Sequence, residues 1–245
     1  MINMATSSAV AKCNTKIKVY PNGKLHITSF SRNIFNTGFE DIRIKENSET
    51  EAKLYDTSNP RDDNMKRAKA KIFDIALSNE WSYMITLTLD DNRIDRYNTE
   101  KIIKPFRQWL NNMVKRKNLK YLIGPEFHKD GAIHFHGLIN DSLDLVFSET
   151  YIIPELKKPC KLEIVKKYCY DVSDEKVREV MNISNWKLGF SSAVKIDNNV
   201  EAVSKYMTKY TCKNFQKIFG QSFFAGGGVN RDLPCIILIF LFLIL

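Results

Sequence analysis

The chain has 245 residues, 44% of them hydrophobic and 27% charged, which is enough apolar material for one sizeable core and an ordinary charge density for a soluble protein. Lys and Arg number 37 against 28 Asp and Glu, and the net charge of +9 favours an anionic partner, nucleic acid foremost. The five cysteines, Cys13, Cys160, Cys169, Cys212 and Cys235, are odd in number and form no C-x-x-C pair, so they speak against a disulfide framework and for free thiols in a reducing compartment.

The start, up to residue 15, is small and polar, has no signal-peptide pattern and reads as disordered. Ile17 to Tyr20 and Leu25 to Phe30 flank a Pro-Asn-Gly turn and read as a hairpin. A charged surface link is expected over 45–62. From Arg61 to Asn79 the residues Met65, Ala68, Ile72, Ile75 and Ala76 recur at helical spacing, with Lys66, Arg67, Lys69 and Lys71 on the other face. Trp81 to Leu89, WSYMITLTL, predicts a strand. Ile102 to Val114 is amphipathic, and Pro105 suits a first turn, so the helix is expected to start near Lys104.

Tyr121 to Phe127 and Ile133 to Ile139 are strand candidates joined by His128-Lys129-Asp130-Gly131. The stretch from Leu143 to Tyr170 shows no clear pattern. Ser173, followed by Asp174 and Glu175, predicts a capped helix to Met181. Phe190 to Ile196 reads as a strand, and Val200 to Ile218 as a long helix. The block QSFFAGGGVNRDLP reads as a Gly-rich loop. Cys235 to Leu245 is wholly apolar yet shorter than the roughly 20 residues that span a bilayer, and it reads as an odd end to the reading frame, such as a truncated gene, rather than an interfacial anchor. The expected class is α+β, a central antiparallel sheet with flanking helices. Its expected parts are an N-terminal extension over 1–60, a main domain over 61–232 and an apolar tail over 233–245.

Two clusters carry chemistry. On a strand, His134 and His136 point to one side and Phe135 to the other. Paired imidazoles suit a divalent metal. Glu126, on the preceding strand of the expected hairpin, can supply a third ligand, and His128 is a further candidate. Three of the four histidines fall within this short stretch. The plain alternative is a pair of strand histidines satisfied by hydrogen bonds. The second cluster is Tyr206-Met207-Thr208-Lys209-Tyr210, where the two phenols share a helix face. A phenol needs help to act as a nucleophile, and Lys209 can stabilise its charge or that of a phosphate. Lys205 and Lys213 continue a basic strip. Taken alone, tyrosines at this spacing are usually packing residues.

WSYMITLTL, YLIGPEFHKDGAIHFHGLI and AVSKYMTKYTCK, in that order, resemble the three motifs of HUH endonucleases, the Rep-type initiators of rolling-circle replication in small phages and plasmids, most closely those with a Y-x-x-K-Y motif. The resemblance runs from about Met65 to Asp232. It implies an RRM-like sheet with flanking helices, Mg or Mn held by His134, His136 and Glu126, and attack by Tyr206 or Tyr210 on single-stranded DNA at a replication origin. A 5′-phosphotyrosine and a free 3′-OH would result, the latter priming a host polymerase. No Walker sequence occurs, so a helicase would act in trans. Lys66 and Arg67, with Lys205 and Lys213, would bind DNA, and the setting would be the cytoplasm of a bacterial host without a membrane partner. A relaxase or transposase of the same chemistry is an alternative, as is a non-catalytic RRM-like nucleic-acid-binding module. A cupin-type metalloenzyme fits less well, because Asn140 and Asp141 stand where that fold expects a glutamate.

Overall fold

The computed structural model describes residues 12–13, 15–29, 35–36, 60–156, 158–197, 203–205, 207–208, 218–231 and 235–238. Outside them lie most of the start expected to be disordered, most of the 45–62 link and most of the helix expected over 200–218. The chain divides into two units, Met1–Ser58 with Asp232–Leu245, and Asn59–Arg231.

In the first unit, β1 (Lys12–Cys13) pairs with β4 (Phe35–Asn36). Strands β2 (Thr15–Val19) and β3 (Leu25–Ser29) form the expected hairpin. Its turn closes by a Gly23 N–H bond to the Tyr20 carbonyl at 2.9 Å, and Gly23 takes φ +79°, which a glycine adopts without strain. The apolar run begins as a strand, β12 (Cys235–Leu238), paired antiparallel with β2.

The second unit contains α1 (Pro60–Leu77), β5 (Tyr83–Leu89), α2 (Thr99–Lys117), β6 (Tyr121–Phe127), β7 (Ile133–Ile139), β8 (Leu145–Ile152), α3 (Leu162–Lys167), β9 (Arg178–Ile183), β10 (Gly189–Lys195) and β11 (Phe224–Gly226). Seven strands form one sheet in the order β11-β6-β7-β5-β10-β9-β8, with every neighbouring pair antiparallel. The α+β class, a central antiparallel sheet with flanking helices, is therefore present. Among the described residues, no helix is long and apolar enough to cross a membrane.

Helix α2 covers one face. Its buried residues Ile102, Phe106, Trp109, Leu110 and Met113 meet Ile85, Leu87, Ile123, Ile133 and Phe135 from the central strands. Phe135 is wholly buried, its ring stacked 3.9 Å from Phe106 and 5.9 Å from Phe219. Helix α1 packs on the opposite face, where Ile72, Ile75 and Ala76 meet Leu122, Leu138 and Met207.

Three sequence expectations need correction. Helix α2 starts at Thr99, not near Lys104, and Pro105 lies inside it. The Asn98 side chain accepts the N–H groups of Glu100 and Lys101 at 3.0 and 3.1 Å, and buried Ile102 anchors the turn before the proline, which together outweigh one missing hydrogen bond. No helix starts at Ser173. Asp171 accepts the Ser173 N–H and hydroxyl, Asp174 accepts the Lys176 N–H, and these local turns lead into strand β9. The Gly-rich block is not all loop, because Phe224–Gly226 adds a strand beside β6.

Burial of Phe135 between two rings sets an expected cost. Phe135→Ala should lose about 3–5 kcal/mol in urea unfolding, whereas Phe190→Ala, at a ring 70% exposed, should change stability by less than about 0.5 kcal/mol. Equal costs for the two would contradict this packing.

Candidate functional site

Anchoring Phe135 in the α2 core turns His134 and His136 to the other face of β7. Pairing supplies their neighbours. On β6, Glu126 stands opposite His134 and Gly124 opposite His136. On β5, Thr88 stands opposite His134 and Thr86 opposite His136. Directly opposed residues of an antiparallel pair share a face, so the acid, the two imidazoles and the two hydroxyls form one patch.

Within it, Glu126 Oε2 lies 3.2 Å from His136 Nε2. The Thr86 hydroxyl lies 3.2 Å from His136 Nδ1, and the Thr88 hydroxyl 3.3 Å from His134 Nδ1. Hydroxyls on both Nδ1 atoms orient the rings and leave Nε2 as the atom for a ligand. The two threonines are not among the residues singled out from the sequence, although their alternation in ITLTL is the signal that could have found them.

Glu126 is only 6% exposed. A carboxylate so buried requires a compensating positive group. His136 can serve when protonated, and a divalent cation can serve when it is not. Two cis ligands of an octahedral Mg at about 2.1 Å stand about 3.0 Å apart, close to the separation of Glu126 and His136. Oxygen and imidazole donors also suit Mn. Among the described residues, no three His, Cys, Asp or Glu side chains form a metal cage as they stand, so binding an ion requires His134 to turn toward the Glu126–His136 pair.

His128 lies in the turn after β6, and its ring stacks on that of His134 at 4.9 Å. Its Nδ1 lies 3.1 Å from Asp130 Oδ1, an oxygen that also accepts the Ala132 N–H at 3.0 Å. These contacts hold the Asp130 carboxyl below its usual range, the Ala132 bond foremost. His128 thus braces His134 from the exposed side. Burial first, then the neighbouring His128 and His136, push the His134 pKa below its ordinary value, against the weaker pull of Asp130 and Glu126.

The expected DNA-binding residues Lys66 and Arg67 are exposed on α1. Residues 203–205 and 207–208 are helical, with Lys205 exposed and Met207 wholly buried against Leu122 and Leu138. Those two leucines lie two residues from Gly124 and His136 on their strands, so this helical stretch packs on the histidine face. Tyr206, Lys209, Tyr210 and Lys213 lie outside the described residues.

Residues 82–214, more than half of the chain, match a protein family described as replication-associated protein ORF2. No curated protein and no solved structure matches the chain.

The depressed pKa of His134 gives a pH dependence in chelator. Its neutral form is favoured by folding, so the unfolded chain takes up the proton first as pH falls. The stability involved is present above the ordinary histidine value of 6.5 and is lost as pH drops through the lower folded value. Proton NMR should show His134 titrating below 6.5, and His134→Gln should flatten the fall in thermal midpoint between neutral and mildly acidic pH. A His134 midpoint at or above 6.5 would contradict the burial account.

Proposed function

The chain belongs to the replication-associated protein family of the ORF2 type, and from that premise we propose that it nicks and religates single-stranded DNA at a replication origin, so initiating rolling-circle replication of a small phage or plasmid. The observation that carries this reading is the cluster of Glu126, His134 and His136 on one sheet face, with the helical stretch around Met207 packed on that same face. Met207 is the chain neighbour of Tyr206.

Glu126, His136 and His134 would hold Mg or Mn. When bound, such an ion supplies charge neutralisation at the phosphate oxygens. The chain's own residues do the rest. Thr86 and Thr88 keep the imidazoles aimed outward. Lys66, Arg67, Lys205 and Lys213 bind the DNA backbone, and single strands give each base a face for stacking. The phenol oxygen of Tyr206 or Tyr210 forms a bond to the scissile phosphorus as the bond from phosphorus to the 3′ oxygen breaks. The phenol gives up its proton, and the departing 3′ oxygen gains one. Lys209 stabilises the phenolate. The 5′-phosphotyrosine conserves the bond energy for religation, and the free 3′-OH serves a host polymerase, with a helicase acting in trans. Positioning and charge account for most catalysis in such transfers.

Two tyrosines allow one to hold a 5′ end while the other attacks the newly made origin. With labelled single-stranded origin DNA and Mn, the wild type should form a covalent protein–DNA adduct. Tyr206→Phe and Tyr210→Phe should each retain some adduct, and the double variant none. One inert single variant beside one of wild-type activity would leave a single nucleophile.

The metal requirement has its own check. Replacing His134 and His136 together with Ala should abolish cleavage while sparing most DNA binding in a mobility-shift assay. Full cleavage by that variant in excess EDTA would refute the metal assignment.

A further inference from the structure

Phe190 is the most exposed of the large hydrophobic side chains among the described residues, at 70%. Its place in the sheet is specific. Phe190 of β10 stands opposite Thr88 of β5, Thr88 opposite His134 of β7, and His134 opposite Glu126 of β6. One cross-strand row therefore runs from the buried acid through an imidazole and a hydroxyl to an open phenyl ring, all on one face. At about 4.8 Å per strand, Phe190 stands roughly 10 Å from His134.

Local backbone packing holds that row in register. Gly189 lies so close to β5 that an added Cβ would collide with the Thr88 carbonyl and come within 2.7 Å of the Asp90 nitrogen. The strand is thus pinned one residue before Phe190. Across and along the strands, the ring's neighbours on this face are Thr88 and Ser192, both hydroxyl-bearing. One ring so flanked makes too small an apolar patch for a protein interface. It matches the area of one nucleobase, and the net charge of +9 favours a polyanionic strand carrying it.

We propose that Phe190 is a base-stacking platform, which takes the face of a nucleobase close to the scissile phosphate and so sets where single-stranded DNA lies across the Glu126–His136 patch. This rests on the nicking function proposed above, and it assigns to that function a positioning residue on β10.

The test is fluorescence anisotropy in EDTA, where cleavage plays no part, with the full chain and labelled single-stranded origin oligonucleotides carrying one abasic nucleotide at successive positions. Base–aromatic stacking predicts that Phe190→Ala weakens binding to intact DNA by about 10-fold. Phe190→Tyr should restore it and Phe190→Leu should not. One abasic position should weaken binding to the wild type by a similar factor and add nothing in Phe190→Ala. Circular dichroism should show Phe190→Ala folded as the wild type. Binding by Phe190→Ala within twofold of wild type overturns the proposal, as do abasic penalties equal in both proteins at every position. Full restoration by Phe190→Leu overturns it too, because an apolar contact would then suffice. Loss of adduct formation with the coupling intact would refute the nicking chemistry and leave the platform standing.

Discussion

Phe135 lies between the rings of Phe106 and Phe219, and that burial governs β7. Side chains alternate along a strand, so a slip of one residue would drive two imidazoles into an apolar layer and expose the phenyl ring. Both changes are costly, since unpaired polar groups and a lost aromatic contact would be combined. The core residue thereby aims His134 and His136, although it touches neither the acid nor any ligand. Trp186 strengthens the same frame, packing against Phe106 and Trp109 while its indole N–H donates to the Thr88 carbonyl at 3.2 Å.

The two faces of the sheet carry different loads. The α2 face is a continuous apolar layer. The histidine face is apolar only where α1 and the Met207 stretch cover Leu122 and Leu138. Beyond that cover the same strands present Glu126, His134, Thr88 and Phe190 in one row. A buried carboxylate beside half-buried imidazoles is a poor device for stability, because desolvation works against every charged form. Its retention on an open face is consistent with a ligand that compensates the charge, and a metal-bound phosphate has that chemistry.

Legibility in the sequence follows burial. Strands β6 and β7 are legible with their observed ends, and α1 and β5 within a few residues, because their patterns are dense in buried apolar residues. Strands β8 and β9 lie at the sheet edge with mixed exposure, so no clean alternation marks them. Ser173-Asp174-Glu175 has the composition of a helix start, but the same side chains serve local turns equally well, and the β9 pairing decides between them. Strand β11 is three residues long, too short to show any period.

Local rules alone determined that His134 and His136 face one way, that Glu126 lies across a short hairpin from them, and that Tyr206 and Tyr210 are spaced for one helical turn. These facts depend on backbone periodicity and a tight turn, both properties of neighbouring residues. The tertiary structure alone decided that Thr86 and Thr88 orient the imidazoles and that Glu126 pairs with His136 across a diagonal. It also decided that Phe190 joins their row. Each of these depends on the strand order β6-β7-β5-β10, which joins segments far apart in the chain. No local pattern encodes that order. It follows from burying all the apolar faces against α1 and α2 at once, which only the whole fold can satisfy.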